Sequence, residues 1–535
     1  MPKDSERSWR SNSERRLNSR KVKLKNNMDE AKKGKIYLVG GGCGDPGLLT
    51  LRAKAKIETC DVLVYDALVN ESFLAMAPES CEKIYVGKRA NRHALSQWRI
   101  NALLVELGQR GKMAVRLKGG DPYVFGRGGE EGIALHQAGI PFEVIPGIPS
   151  VTGGLAYAGI PVTHRDCASS FQVVTGHLKD GGEALDWPVL AQTKGTLVFL
   201  MGMKNLAAIA GNLLREGMDP ATPAAVVYRA SQPSQRVVTA TLATIAEVSR
   251  QAGMHAPALI VVGKVVALRD ELRFFDNKPF FGKTFLVTRS RAQASSTVEK
   301  ICELGGEAIV YPTIRIRPVP EAMDRLGEAI DALGHYSHLI FTSVNGVELF
   351  YDQLAVRGRD SRALAGLTIT AIGKATAAAL EERGVVPDVV PKRYIGEELV
   401  DKLSPLIGAG DRVLLARSKN ARSLVADELA RLCPVTELPI YETIREDRTD
   451  IDVAAMLAKR EIDYITFTSS TTAKYFAEKL GADRLDLVQN AKTISIGPQT
   501  SKQMRELGMA VDVEAATYTI DGLLAAAEAD SAASV

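Results

Sequence analysis

The 535-residue chain holds only 6 cysteines, 3 tryptophans and 7 histidines, and aromatic residues make up 6% of it. The cysteines (43, 60, 81, 167, 302 and 433) are scattered with no C-x-x-C pair. That excludes a disulfide framework, a zinc ribbon and an iron–sulfur site, and makes a reducing cytoplasm the expected compartment. No run approaches the roughly 18 apolar residues of a spanning helix, and the basic N-terminus has no apolar signal core, so no membrane partner is expected. A basic surface is missing as well. Residues 1–27 carry 9 Lys/Arg against 3 acidic residues, leaving 58 basic and 60 acidic residues beyond them, so the net charge of +4 is a basic tail on a slightly acidic body. The tail is Ser/Arg/Asn-rich, nearly free of apolar residues and without aromatic interleaving. It reads as a disordered extension (1–33) rather than a nucleic-acid or membrane arm.

Past Met28 the sequence alternates short β-branched runs with helically spaced segments. Ile36–Val39, Val62–Tyr65, Met113–Leu117, Phe142–Ile145, Thr196–Leu200 and Ala258–Val262 read as strands; Leu51–Thr59 and Ile100–Gly108 read as helices. This pattern predicts an α/β fold with largely parallel sheets. A charged stretch punctuated by Pro and Gly at 269–282 reads as an interdomain linker, although its four Phe call for a packing partner. Beyond it lies an internal repeat. Thr288-Arg289-Ser290-Arg291 recurs as Ala416-Arg417-Ser418-Lys419, Phe341-Thr342-Ser343 as Phe467-Thr468-Ser469, and Ile372-Gly373-Lys374-Ala375-Thr376 as Ile496-Gly497-Pro498-Gln499-Thr500, at offsets of 128, 126 and 124. Two similar α/β lobes follow from this, with hydroxyls placed to cap helices or to leave amides facing a cleft. His335-x-x-His338 has no third ligand in view and reads as structural, so no metal is expected.

Two glycine-rich segments carry the chemistry of the first half. Gly42-x-Gly44-x-x-Gly47 after the first strand, with Asp66 19 residues further on, has the spacing of a dinucleotide fingerprint. Asp45-Pro46 opposes that reading, because it places a carboxylate and a missing N–H where pyrophosphate would bind. The second segment runs Arg116-Leu117-Lys118-Gly119-Gly120-Asp121-Pro122-Tyr123-Val124-Phe125-Gly126-Arg127-Gly128-Gly129-Glu130-Glu131. Its Gly-Gly-Asp suits a ligand bearing an amino group, and its Gly-Arg-Gly-Gly places an arginine at a helix start.

Together with Val64-Tyr65-Asp66-Ala67-Leu68-Val69, Val86-Gly87-Lys88-Arg89, Ile145-Pro146-Gly147-Ile148, Gly159-Ile160-Pro161-Val162-Thr163-His164-Arg165 and Phe199-Leu200-Met201-Gly202, these motifs resemble the tetrapyrrole methylase family, and within it uroporphyrinogen-III C-methyltransferases, over 34–268 (subdomains about 34–146 and 147–268). The resemblance implies S-adenosyl-L-methionine as methyl donor, contacted by Cys43, Gly119, Gly120, Asp121, Val124, Pro149, Ser150, Met201 and Ala230. Cys43 stands where the family has Pro, Pro149-Ser150 where it has Thr-Ala, and Ala230 where it has Gly, and altered affinity is the expected consequence. It further implies methylation of uroporphyrinogen III at carbons 2 and 7 to precorrin-2, with Asp66 as general base and Lys88 as proton donor. Arg89, Arg127, His164 and Arg165 are the candidate partners of the substrate's carboxylates. A homodimer through this half is a further implication of the family.

The second half, 283–530, resembles the uroporphyrinogen-III synthase family through Leu286-Val287-Thr288-Arg289, Phe341-Thr342-Ser343-Val344-Asn345-Gly346-Val347, Tyr441-Glu442-Thr443 and the repeated motifs above. It implies lobes of about 283–313 with 444–530, and 320–437, joined by paired strands. It also implies ring closure of hydroxymethylbilane with loss of water and without a cofactor. Tyr441 is then the candidate donor to the departing hydroxide, with Thr342, Ser343, Thr376, Thr468, Ser469 and Thr500 lining the cleft. Two other readings stand beside this one: a nicotinamide-dependent oxidoreductase built on the 42–47 loop, and a non-catalytic tetrapyrrole-binding sensor. A dehydrogenase domain of the kind some siroheme enzymes carry is not expected in the residues preceding the methylase region.

Overall fold

A computed structural model describes residues 33–87, 95–176, 185–391, 396–421, 423–448 and 451–533, without the side chains of 291 and 292. The chain divides into two compact units, residues 1–283 with Cys302–Glu307, and Thr284–Ile301 with Ala308 onward. Among the described residues no helix is long and apolar enough to cross a membrane.

The first unit has two five-stranded sheets. Strands β1 (Lys35–Gly40), β2 (Val62–Tyr65), β3 (Glu82–Tyr85), β4 (Met113–Lys118) and β5 (Phe142–Ile145) form a sheet of order β3-β2-β4-β1-β5. Every pairing in it is parallel. Both faces are covered, one by a core that includes Val39, Leu63, Phe73 and Leu117, the other by Ile36, Leu38, Leu104 and Leu135. Burial on two faces explains why these strands read as unbroken apolar runs. The second sheet contains β6 (Phe171–Thr175), β7 (Thr196–Leu200), β8 (Pro223–Tyr228), β9 (Arg236–Thr241) and β10 (Ala258–Val262), in the order β6-β7-β10-β8-β9. Here the expectation of largely parallel sheets fails: only β6 and β7 run parallel, whereas β10 is antiparallel to β7 and β8, and β8 to β9. The reason is local. β8 and β9 are joined by a short loop too brief for a crossover helix, which forces a hairpin.

The expected linker is part of the first unit. A short helix, Arg269–Leu272, opens it, and Phe275 and Phe280 are buried. Phe275 packs 4.8 Å from the Tyr157 ring, and Asp276 accepts hydrogen bonds from Gln235 (2.8 Å) and Arg269.

In the second unit β11 (Thr284–Val287) and β12 (Glu307–Val310) begin one sheet. The chain then crosses to another, made of β13 (Ile314–Pro318), β14 (His338–Phe341), β15 (Thr368–Ala371), β16 (Val413–Ser418) and β17 (Val435–Arg445). It returns to the first through β18 (Tyr464–Phe467), β19 (Lys492–Ser495) and β20 (Val513–Glu514). The orders are β12-β11-β18-β19-β20 and β13-β17-β16-β14-β15. The crossing segments β13 and β17 pair antiparallel, Pro318 opposite Tyr441 and Ile314 opposite Arg445. Each lobe closes on its own aromatic contacts, Phe341 on Phe350 at 5.2 Å and Phe467 on Phe476 at 5.3 Å, at equivalent places in the repeat.

Candidate functional sites

In the first unit the C-terminal ends of the parallel strands converge, the usual place for a ligand in an open α/β sheet. Gly42 and Gly120 exchange backbone hydrogen bonds (3.2 and 2.6 Å), with φ of +76° and +68° that favour glycine. Gly147 passes so close that a Cβ there would lie 2.2 Å from Gly120 O, while its amide donates to Asp121 Oδ2 at 3.1 Å. The other carboxylate oxygen, Asp121 Oδ1, accepts from the Tyr123 amide at 2.8 Å. Gly119 lies under the loop after β2, since a Cβ there would meet Leu68 Cβ at 2.7 Å. Thus Gly119 is held against the loop that follows Asp66, and Asp121 against Gly147.

Cys43 is brought against the second sheet. Its Sγ accepts from Ser231 Oγ at 3.3 Å, and burial pushes its thiol pKa up. The segment after Pro149 lies beneath it: a Cβ on Gly153 would meet Cys43 Sγ at 2.9 Å, and one on Gly154 would meet Ala230 Cβ at 2.8 Å. Cys43, Pro149, Ser150 and Ala230 therefore form one group. Ser150–Gly154 is wound as a π-helical turn, a form common at functional sites. Among the described residues of this unit, five that are not glycine, Phe125, Arg127, Met201, Arg229 and Ser231, have positive φ between 43° and 61°. Backbone strain of this kind gathers where ligands are held. Val124, Phe125 and Met201 are also exposed apolar side chains.

The glycine loop is unsuited to pyrophosphate. Asp45 Oδ1 accepts from the Gly47 amide at 2.7 Å, and Oδ2 accepts from Tyr157 Oη at 2.6 Å, so a carboxylate fills the anion position. Burial, with Asp45 as hydrogen-bond acceptor, holds the Tyr157 phenol well above its ordinary pKa. The helix at Leu51–Ile57 starts only after Thr50, which caps it.

Asp66 Oδ2 accepts from Arg116 Nη2 at 3.0 Å. Behind Arg116 lies a buried network absent from the sequence reading: Glu131 Oε1 accepts from Arg116 Nε (3.3 Å), Lys118 Nζ (2.9 Å) and Gln97 Nε2 (3.2 Å). Arg116, Lys118 and Glu131 are all less than 5% exposed. Burial, aided by Arg116, lowers the Lys118 pKa. Two charges in the apolar strand Met113–Lys118 were the available sequence signal. Arg127 instead forms a bidentate pair with Glu130 (2.8 and 2.7 Å), and His164 Nδ1 accepts from the Asp166 amide at 3.2 Å. Among the described residues no hydrogen bond or ion pair joins Arg127, His164 or Arg165 to Asp66 or Asp121. Lys88 and Arg89 lie outside the described residues.

In the second unit the repeat is visible atom by atom. Ser343 caps helix Val344–Val356 by accepting from the Gly346 amide at 3.0 Å, and Ser469 caps helix Ser470–Leu480 by accepting from Thr472 at 3.2 Å. Their φ/ψ angles are nearly identical, −167°/159° and −166°/159°. Thr342, Ser343, Thr468 and Ser469 are half-buried at these strand ends, whereas Thr376 and Thr500, in the first turns of their helices, are buried. Tyr441 is also buried, and its hydroxyl donates to Ser343 Oγ at 2.7 Å, so it does not stand free in the cleft. From the other lobe, at the start of helix Arg291–Glu303, Gln293 Nε2 donates to Asn345 Oδ1 in the first turn of Val344–Val356 at 3.2 Å.

Two α/β modules, the first with a glycine loop whose anion position is filled by Asp45, define the class of protein. Comparison with known proteins is specific within it. Residues 35–246 match the family model described as Tetrapyrrole (Corrin/Porphyrin) Methylases, and 295–525 match Uroporphyrinogen-III synthase HemD. The chain is 36% identical over 494 residues, 92% of its length and 97% of the relative's, to a porphyrin biosynthesis protein HemD of Ruminiclostridium josui. It is 48% identical over 254 residues to a siroheme synthase of Nitrosomonas europaea, covering 48% of this chain and 54% of that one, so it spans about half the length of such relatives. A uroporphyrin-III C-methyl transferase from Thermus thermophilus, solved with S-adenyl homocysteine, is 45% identical over 44% of this chain and 93% of its own, with a TM-score of 0.38. The chain belongs to the porphyrin biosynthesis family in which a tetrapyrrole methylase is followed by a uroporphyrinogen-III synthase, and it is an enzyme of tetrapyrrole biosynthesis with both modules.

Proposed function

We propose that the second unit closes hydroxymethylbilane to uroporphyrinogen III and that the first methylates this product at carbons 2 and 7 with S-adenosyl-L-methionine, giving precorrin-2. The observation that carries the reading is the presence of both modules in this chain, methylase before synthase, together with a relative matched along nearly its whole length. The residues present fit the methyl donor. The Gly40–Gly120–Gly147 crossing leaves bare backbone, Asp121 supplies a carboxylate suited to an amino group, and Cys43, Ser150 and Ala230 form a small-residue floor. When bound, the donor supplies a methyl group already activated on sulfonium. The chain then has to align the pyrrole carbon with it and take the proton released from the macrocycle. Asp66 is the base in this reading: Arg116 holds its carboxylate by Oδ2, and among the described residues Oδ1 is bonded only to the Leu68 amide at 3.2 Å. Lys88 as proton donor, and Arg89, Arg127, His164 and Arg165 as carboxylate partners, belong to the same proposal.

In the second unit, amides at the starts of helices Val344–Val356 and Ser470–Leu480 face anionic side chains of the bilane, and the departing hydroxide receives its proton at Ser343, backed by Tyr441. The test supplies hydroxymethylbilane enzymatically, with and without labelled S-adenosylmethionine, and separates the products. Type III macrocycle carrying two labelled methyl groups is the expected outcome. Only the spontaneously formed type I isomer would refute the synthase half, and unlabelled type III the methylase half.

A further inference from the structure

The repeat in the second unit breaks its symmetry at one pair of residues. Arg417, near the end of β16, and Arg289, just after β11, occupy equivalent places in the repeat. Arg417 is satisfied within its own lobe: Nε meets the Glu437 carboxylate, and Nη1 donates to Ser418 O (2.8 Å) and Ala421 O (2.9 Å). The following Ser418 Oγ accepts from the Asn420 amide at 3.2 Å. Neither arrangement is reproduced at the first copy. Among the described residues, the Arg289 guanidinium bonds only to Gln293 Oε1, at 3.3 Å, and Ser290 Oγ is buried without a partner. Burial lowers the Arg289 pKa, and among the described residues no carboxylate opposes it. A half-buried guanidinium met by one neutral amide keeps most of its desolvation cost uncompensated. Gln293 in turn donates to Asn345, in the first turn of the helix that Ser343 caps, so Gln293 and Asn345 link Arg289 to the helix start at which Ser343 meets Tyr441.

We infer that Arg289 is a substrate-binding residue of the synthase site, anchoring one acetate or propionate carboxylate of the linear tetrapyrrole in place of the Gln293 side chain. The inference rests on reading the second unit as a synthase. A planar guanidinium matches a carboxylate bidentately, which a lysine does less well. Gln293 then serves as a neutral placeholder that bridges the lobes until the substrate arrives.

The test measures type III formation from enzymatically generated hydroxymethylbilane by the full chain carrying Arg289→Gln, Arg289→Lys or Gln293→Ala. Methyl transfer to supplied uroporphyrinogen III is followed in parallel. Arg289→Gln should raise KM about tenfold or more with a smaller change in kcat, consistent with a lost charge-assisted hydrogen bond. Arg289→Lys should recover part of the loss, which a collapsed unit could not do, and the rise of KM with salt should be shallower in Arg289→Gln than in the unaltered chain. Gln293→Ala removes the placeholder that the carboxylate displaces and should lower KM rather than raise it, and methyl transfer should be unchanged throughout. An unaltered KM in Arg289→Gln, or an equal rise in Gln293→Ala, overturns the inference while leaving the synthase reading intact. Failure of the unaltered chain to form type III product overturns both.

Discussion

Ser343 accepts two hydrogen bonds, from Tyr441 Oη at 2.7 Å and from the Gly346 amide at 3.0 Å. A serine oxygen has two lone pairs, so its own hydrogen is the capacity left over, and it is fixed as a donor. Tyr441, the residue singled out from the sequence, lies one step behind it. The two hydroxyls should therefore behave as a unit. Tyr441→Phe and Ser343→Ala are each expected to lower type III formation by about 10²-fold, within the range of a positioned proton donor, and the double variant should be no slower than the worse single one. Ser343→Ala also loses the helix cap, about 1 kcal/mol, which a thermal melt would register separately. Multiplicative losses in the double variant would show that Tyr441 reaches the substrate independently. At this scale the sequence pointed to side chains but not to their partners. Tyr441 and Ser343 are 98 positions apart, and only β17 returning beside the end of β16 makes them meet. The same holds for Asp66, readable at a strand end, and for the Arg116–Glu131–Lys118 network behind it, which required the fold.

Elements were legible where one signal dominated. The strands at Val62–Tyr65, Phe142–Ile145, Thr196–Leu200 and Ala258–Val262 have the bounds their β-branched runs suggested, and the repeat announced itself through its caps. Strand direction was not legible in the second sheet, because alternation of strands and helices does not encode how β8 and β9 are joined. Nor was the fate of 269–282, whose polarity marks a linker while Phe275 packs on Tyr157 and Phe280 is buried. The Gly40–Gly120–Gly147 crossing joins three elements, the ends of β1, β4 and β5. Its tolerance is set by backbone atoms, since a Cβ on Gly147 would lie 2.2 Å from Gly120 O and 2.7 Å from Gly40 Cα. Neither neighbour can swing away as a flexible side chain could. Gly147→Ala should therefore cost at least about 3 kcal/mol or displace Gly119–Asp121. Calorimetric titration should then find S-adenosylmethionine binding weakened more than tenfold, while type III formation persists. Unchanged cofactor affinity would show that the crossing is not part of the cofactor site.

At the scale of the whole molecule, each unit has its own sheets and buried clusters, and every contact proposed for one reaction lies within one unit. The intermediate, uroporphyrinogen III, is a stable polyanion that can leave one site and be captured by another, so nothing in the two sites requires the reactions to share a chain. A chain with Asp66→Asn should make uroporphyrinogen III but not methylate it, and a chain with Tyr441→Phe should methylate supplied uroporphyrinogen III but scarcely form it. Mixed at equal, micromolar concentrations with hydroxymethylbilane and S-adenosylmethionine, the two should restore the doubly methylated product. The lag before methylated product appears should shorten as enzyme concentration rises, because encounter with free intermediate is bimolecular. The unaltered chain should show the same lag at matched site concentration if its intermediate passes through solution. A shorter lag in the unaltered chain, with slow complementation in the mixture, would instead mean that the covalent link raises the local concentration of intermediate at the second site. That outcome would make the fusion itself part of the catalytic design. Equal lags would make it a device for producing the two activities in fixed ratio.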